Sequence, residues 1–385
     1  MARKPETDLI GAGRKPRAAV KLPNPPVERA STVLIERAED LYDGDRKVYG
    51  RFGLGSQDAL CDALCALYEG ASWCGLTPSG LSACTLSIQA LCKTGDHVLI
   101  TDSAYGPTRS FALEELSRQN VEVEFYDPRI SDGIAELIRD NTALIYLESP
   151  GSLTLDVQDI PAICAAAKAR NVLTLIDDTW SAGLLCDVFA LGCDVAIQAA
   201  TKYPSGHSDV LLGAILTMDA DLGARIGNTL RRYGVTADSD SCYLALRGLR
   251  TLPARMRQHE ASGLAAAEFL QRQPSVTRVI HPGLPGNRDH EIWKRDFNGA
   301  SGLFAFELEG GRETANRFLN ALNLFGLGFS WGGFESLAIV CNPQIRRAVI
   351  PWDGDGQLIR LSIGLENAGD LIADLEQALS AAKDT

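Results

Sequence analysis

VLTLIDDTW at residues 172–180 and DVAIQAATKYPSGHSD at 194–209 decide the fold. Each opens as a short, almost wholly apolar run and then breaks into small and polar residues, the pattern of a strand buried on both faces that ends in a turn. Working outward, HVLIT at 97–101, VEVEF at 121–125 and ALIYL at 143–147 repeat it, and helix-like stretches such as IPAICAAAKARN at 160–171 separate most of these runs. This alternation predicts an α/β large domain with a mostly parallel sheet and helices on both faces. After about residue 245 long helical patterns such as RMRQHEASGLAAAEFLQRQ mix with the strands VTRVI, GLFAFELE, LAIVC and LIRLSIG. They predict a smaller α+β C-terminal domain closed by the helix DLIADLEQALSAA. The expected divisions are an N-terminal arm at 1–53, the large domain at 54–248 and the small domain at 249–385.

The arm is rich in proline (Pro16, Pro23, Pro25, Pro26) and shows no sustained period. Its basic residues Arg3, Lys4, Arg14, Lys15, Arg17 and Lys21 lack the apolar core of a secretory signal, so a loose surface arm is expected. Across all 385 residues, 45% hydrophobic and 22% charged content places the chain in the globular class. No apolar run approaches the roughly 20 residues of a membrane span. A net charge of −12 argues against nucleic acid or anionic lipid as partners, because both are polyanions. Cytoplasmic residence is the expectation. The ten cysteines (Cys61, Cys65, Cys74, Cys84, Cys92, Cys164, Cys186, Cys193, Cys242, Cys341) form neither a zinc-like double pair nor a compact disulfide ladder. They are expected to be reduced core residues, with no metal site.

Lys202 follows a buried strand at its carboxyl end, where open α/β sheets put their ligands. Small Ala199 and Ala200 leave room for a bulky ring, Thr201 offers a hydroxyl to a phosphate, and a desolvated lysine amine forms Schiff bases with carbonyl cofactors. A surface charge is the plainer reading of such a lysine. Asp177, which ends the apolar run before it, reads on its own as a turn former, and functionally as a carboxylate facing a pyridine nitrogen. Together the two make the arrangement that pyridoxal 5'-phosphate (PLP) needs. In Trp73-Cys74-Gly75-Leu76-Thr77-Pro78-Ser79-Gly80-Leu81-Ser82-Ala83 a strand, a glycine turn and a helix start leave free backbone N–H groups for a phosphate. Tyr105 is a candidate plate to stack on the ring, and Tyr49 with Arg51 in the arm a candidate phosphate contact reaching a neighbouring subunit. Arg360, in an alternating strand, could clamp a substrate carboxylate.

These segments, with YGRFG, GDHVLITDSAYGP, LESPGSLTLDVQDIPAI, LRGLRTLPARMRQH, HPGLPG, WKRDFNGASGLFAF, SWGGFESL and IRLSIGLE in the same order, resemble the Cys/Met-metabolism family of PLP enzymes, and within it the cystathionine β-lyases. The resemblance covers about residues 45 to 380 and implies the PLP-dependent transferase-like fold of aspartate aminotransferase, fold type I. It implies that Lys202 carries PLP and shuttles the proton, that Asp177 pairs with the pyridinium, and that Tyr105 stacks on the ring. Gly80, Leu81 and Thr201 would hold the phosphate. Tyr49 and Arg51 would come from a partner subunit, with a homotetramer of dimers usual. Arg360 would take the α-carboxylate, and Ser330 and Trp331 would line the substrate pocket. Tyr105 or Tyr49 would protonate the leaving sulfur.

The implied activity is β-elimination of an amino-acid thioether, L-cystathionine, in methionine biosynthesis by transsulfuration. Trp331 stands where γ-acting relatives usually carry an aliphatic residue. The alternatives are a cysteine or cystine lyase, a methionine or cystathionine γ-lyase, a racemase side activity, or a noncatalytic regulatory protein on the same scaffold. The last predicts loss of Lys202, Asp177 or Arg360, and all three are present. Two positions depart from the commoner family pattern: Asp178, where many relatives have Asn, adds a negative charge beside Asp177, and Ala199, where many relatives outside the β-lyases have Ser, would leave out one phosphate hydrogen bond.

Overall fold

The computed structural model describes residues 4–14, 22–43 and 46–383; Arg3, Lys15, Pro16, Arg17 and Lys21 of the arm lie outside these. Strands β1 (Trp73–Thr77), β2 (His97–Thr101), β3 (Glu122–Tyr126), β4 (Thr142–Glu148), β5 (Leu173–Asp177), β6 (Val195–Gln198) and β7 (Gly213–Thr217) form one sheet in the order β1-β7-β6-β5-β4-β2-β3. β2, β6 and β7 are buried at every position, as strands covered by helices on both faces must be. The predicted parallel pairing holds from β3 through β6. β7, which the apolar pattern did not single out, pairs antiparallel with both β1 and β6. It alone runs backwards, so the other six strands end on one edge, the edge where such sheets bind ligands.

On one face the helices Gly80–Leu91 and Ala220–Arg232 bury Ile88, Leu91, Ile226 and Leu230 against Val98, Ile100, Leu175, Ile197 and Ile215. On the other, a single core runs from Leu60 and Leu64 through Ile145 and Ile176 to Phe304, Phe306, Ile359 and Leu375. Each fully buried side chain of this size contributes about 1.5–3 kcal/mol, so continuity of the core ties the first sheet to the second.

That second sheet holds β8 (Val276–Ile280), β9 (Leu303–Leu308), β10 (Gly326–Leu327), β11 (Leu337–Val340) and β12 (Gln357–Ser362) in the order β10-β11-β12-β9-β8. The helix Leu252–Gln271 carries the chain towards it, and the helix Ala368–Lys383 packs beside that one. Polar contacts reinforce the join. Trp180 Nε1–H donates to the Leu303 carbonyl (3.1 Å) and Gly302 N–H to the Tyr203 hydroxyl (3.1 Å).

The expectation of a loose arm is corrected at its start. Pro5–Gly11 is a helix whose Leu9 is fully buried, and Arg250 donates to the Leu9 and Ala12 carbonyls. Seven residues are too few to display a period, and what anchors them lies far along the chain. Among the described residues no helix is long and apolar enough to cross a membrane.

Candidate active site

β6 ends at Gln198, and the turn that follows brings Lys202 N–H to the Ala199 carbonyl (3.0 Å). The Lys202 amine therefore rises from the ligand-binding edge of the sheet. Its Nζ donates to Ser330 Oγ (2.9 Å) and lies 5.4 Å from the Trp331 ring centre, on the loop between β10 and β11. Burial first, and the Arg360 charge second, lower this amine to about 8, while Asp177 opposes the shift. It is thus far closer to its nucleophilic form at neutral pH than a surface lysine.

Asp177, the last residue of β5, is held by Thr179, whose N–H and hydroxyl both donate to Oδ1 (3.1 and 2.5 Å). The same hydroxyl accepts the Ala199 N–H (2.9 Å), so one side chain joins the ends of β5 and β6. Oδ2 is left facing Cys84 Sγ (3.6 Å). Burial raises the Asp177 carboxyl, and among the described residues no guanidinium or ammonium pairs with it. Its neighbour on β4, Glu148, is buried as well, and its Oε2 accepts the Tyr105 N–H (2.7 Å). Burial and then Asp177 push the Glu148 carboxyl well up.

Asp178 points away from this group, as successive residues beyond a strand do. It takes hydrogen bonds from the Tyr68 hydroxyl (2.9 Å) and from Ser181, and burial raises it to about 7. The expected extra charge therefore sits on the opposite side of the sheet, bound to two hydroxyls.

At the end of β1, Ser79 caps the helix Gly80–Leu91 by accepting the Ser82 N–H (3.1 Å). The Gly80 and Leu81 N–H groups belong to the first turn and have no intrahelical acceptor. A Cβ at position 80 would stand 2.5 Å from the Ala199 Cβ, so a glycine against a small residue is what lets this helix start approach the Lys202 turn. The Thr201 hydroxyl bridges the Leu212 carbonyl (3.2 Å) and N–H (2.9 Å).

Arg360, on β12, is 7% exposed and donates through Nη2 to the Phe329 (2.7 Å) and Ser330 (3.2 Å) carbonyls. Burial lowers its guanidinium, and among the described residues no carboxylate pairs with it. A buried cation bound only to carbonyls is a ready partner for an incoming anion.

A cavity of about 230 Å³ brings Gly80, Leu81, Tyr105, Asp177, Thr201, Lys202, Trp331 and Arg360 together. Ser330 sits behind it, on the Lys202 amine. Tyr49 and Arg51 are not brought in: Tyr49 is 42% exposed and bridged to Thr32, with the Arg51 guanidinium 5.6 Å from its ring. Sequence reasoning had given no role to Glu148, Thr179 or Cys84, which also line the cavity. Glu148 ends a buried strand just as Asp177 does, and that signal could have found it. Among the described residues no group of side chains could hold a metal ion.

The sequence profile of the Cys/Met-metabolism PLP-dependent enzymes matches residues 6–380. The chain belongs to this family. A putative cystathionine beta-lyase of Rhizobium johnstonii is 45% identical over 365 residues, 93% of this chain and 91% of that protein. The cystathionine beta-lyase MetC of Escherichia coli is 42% identical over 392 residues, 97% and 98% of the two chains. Among solved structures, that of metB from Corynebacterium glutamicum superposes with a TM-score of 0.92 at 30% identity, covering 98% of each chain. The fold is that of the type I PLP enzymes, as expected. PLP, the family's cofactor, fits the residues present. An acid without a cation, a lysine with a depressed pKa and a helix start with free N–H groups face one cavity.

Proposed function

We propose that this protein is a PLP-dependent carbon–sulfur lyase that converts L-cystathionine and water to homocysteine, pyruvate and ammonia. The observation that carries the reading is the bracket formed by Lys202 and Arg360, both hydrogen-bonded to the same Phe329-Ser330 segment beside Trp331. An amine and a guanidinium fixed by one loop grip an amino acid at its reacting carbon and its carboxylate. The cystathionine β-lyase relatives, at 42–45% identity and more than 90% coverage, support the choice of substrate.

In this reading the Gly80 and Leu81 N–H groups would hold the phosphate, joined by the Thr201 hydroxyl once its proton turns from the Leu212 carbonyl; Asp177 would accept a hydrogen bond from the protonated ring nitrogen, Tyr105 would cover the ring, and Lys202 would bond the carbonyl carbon. When bound, PLP supplies an electron sink for the pair left on the substrate α-carbon. Arg360 fixes the α-carboxylate and so orients the α-hydrogen. The Lys202 amine, which the unliganded chain lowers to about 8, would be the general base for that proton. With negative charge at Cα, the Cβ–S bond breaks and a proton must reach the sulfur. The Tyr105 phenol, raised chiefly by burial, is protonated and in the cavity to donate it.

Tyr49 and Arg51 join the site from a second copy of the chain in this reading, in a tetramer built from dimers. Exposed Leu34, Tyr42, Tyr49 and Phe52 along the arm support a covered surface there. Ten unpaired cysteines support a reducing, cytoplasmic setting.

Purified protein supplied with PLP, L-cystathionine, L-cystine and L-methionine tests the reading. Pyruvate from cystathionine, with the cofactor trapped by borohydride on the Lys202 peptide, is expected. Release of 2-oxobutyrate instead would assign γ chemistry, and trapping at another lysine would overturn the site.

A further inference from the structure

Outside the cofactor cavity, a set of buried charges lies where the loop joining β11 to β12 crosses the strand ends of the first sheet. Asp102 follows β2, three residues ahead of Tyr105, and is 2% exposed. Its oxygens accept the Ala348 N–H (2.9 Å to each) and the Val349 N–H (2.9 Å), and Arg109 donates to Oδ1 (2.8 Å). In the same loop, the Arg347 guanidinium donates to the Thr154 hydroxyl and pairs with Asp156, both buried. Arg129 pairs with the other Asp156 oxygen (2.6 Å) and with Asp289. Burial alone would raise the Asp156 carboxyl, but Arg347 and Arg129 outweigh it and hold the group below its ordinary value.

These two anchors belong to adjoining walls of the cavity. Ser152 N–H donates to the Ser103 carbonyl (2.8 Å), Gly151 N–H donates to the Asp156 carbonyl (2.9 Å), and a Cβ on Gly151 would overlap Ser103 Oγ. Gly151, Ser152 and Leu153 line the cavity beside Tyr105. The crossing loop continues through residues 350–356 into β12, the strand of Arg360. One short segment thus ties both walls on the first sheet to the strand that bears the guanidinium on the second.

We propose that Arg347 and Asp102 are positioning residues for the substrate: through Arg347, Ala348 and Val349 they clasp the Tyr105 and Ser152 walls to the Arg360 strand and set the width across which an amino-acid substrate is gripped. The kinetic arm of this inference rests on the lyase reading above; the exchange arm does not. The walls on the first sheet and the Arg360 strand on the second move relative to one another unless something joins them, and a grip whose two sides drift apart binds the substrate more weakly in ground and transition state alike. Ionised, buried pairs with directional partners form such a joint, because breaking one leaves a charge without compensation.

The test uses the PLP-loaded protein and its Arg347→Met, Arg347→Lys and Asp102→Asn variants. Hydrogen exchange at the Ala348 and Val349 amides should quicken about tenfold or more in Arg347→Met and Asp102→Asn. The cofactor absorption band should stay as in the parent. KM for the thioether should rise about tenfold with kcat held within about threefold, and Arg347→Lys should recover most of that loss. Unchanged exchange overturns the proposal, as does a joint fall of kcat and the absorption band. If Arg347→Met does not accumulate as folded protein, Asp102→Asn carries the same expectations and the same refutation. A parent protein inactive on every thioether would defeat the lyase reading while the exchange results still decide the clasp.

Discussion

Replacing Lys202 by methionine should stabilise the cofactor-free protein at neutral pH. The folded chain lowers the Lys202 amine from 10.5 to about 8, chiefly by burial. Between those two values the unfolded chain binds more protons than the folded one, so the parent gains stability as pH rises across that window. Below about pH 8 the amine is charged in both states, and the full penalty of holding it in the cavity is present. That interval corresponds to on the order of 3 kcal/mol. Methionine fills a similar volume, and losing the hydrogen bond to Ser330 costs about 1 kcal/mol, which leaves a net gain on the order of 2 kcal/mol. Unfolding by urea, with PLP removed, should show the variant ahead at pH 7 and the gap closing by pH 10.5. A variant less stable than the parent at pH 7, or a gap indifferent to pH between 8 and 10.5, would refute the electrostatic account. The same strain serves function: at pH 7 an amine of pKa about 8 is neutral roughly 300 times more often than one left at 10.5, so it can capture a carbonyl.

Two further outcomes follow from the geometry. Arg360→Met removes a buried guanidinium poised for a carboxylate, a loss of about 2–5 kcal/mol, so kcat/KM for the thioether should fall by roughly thirtyfold to several thousandfold while the cofactor band survives. Arg360→Lys should restore little of it, because a point charge lacks the planar fork; a fall of less than threefold in Arg360→Met would remove Arg360 from substrate binding. Asp178 is raised from 3.8 to about 7, so the folded chain binds more protons across that range and the parent loses stability as pH climbs through it. Asp178→Asn, which imitates the protonated acid, should match the parent below pH 4 and exceed it by on the order of 4 kcal/mol above pH 7. Equal offsets at both ends, measured by urea unfolding of cofactor-free protein, would contradict the assignment.

Much of the site was legible in the sequence because of where its residues stand on strands. Asp177 and Lys202 each follow an apolar run, and the edge at which parallel strands end is where a ligand can sit. Ser79 and Gly80 announced a helix start by residue type alone. Other features were closed to that reading. Thr179 looked like one hydroxyl among many until it was found joining Asp177 to Ala199, whereas Glu148, which ends a buried strand beside Asp177, was open to the same reading as that acid. The helix Pro5–Gly11 was hidden because Arg250 and the helix Gly55–Leu67 hold it, not its own period.

Hydrophobic spacing and strand-end chemistry, both properties of neighbouring residues, were enough to determine the α/β class and the strands of the second sheet, and to mark Lys202 and Asp177 as candidates for the cofactor. Only the folded chain decided that β7 runs backwards, that Asp178 faces Tyr68 and not Asp177, that Ser330 lies between Lys202 and Arg360, and that Arg347 reaches Asp156. Backbone geometry imposes a period on residues a few positions apart. Which distant side chains meet is settled by how the sheets and helices bury their apolar faces, and that packing is a property of the whole chain.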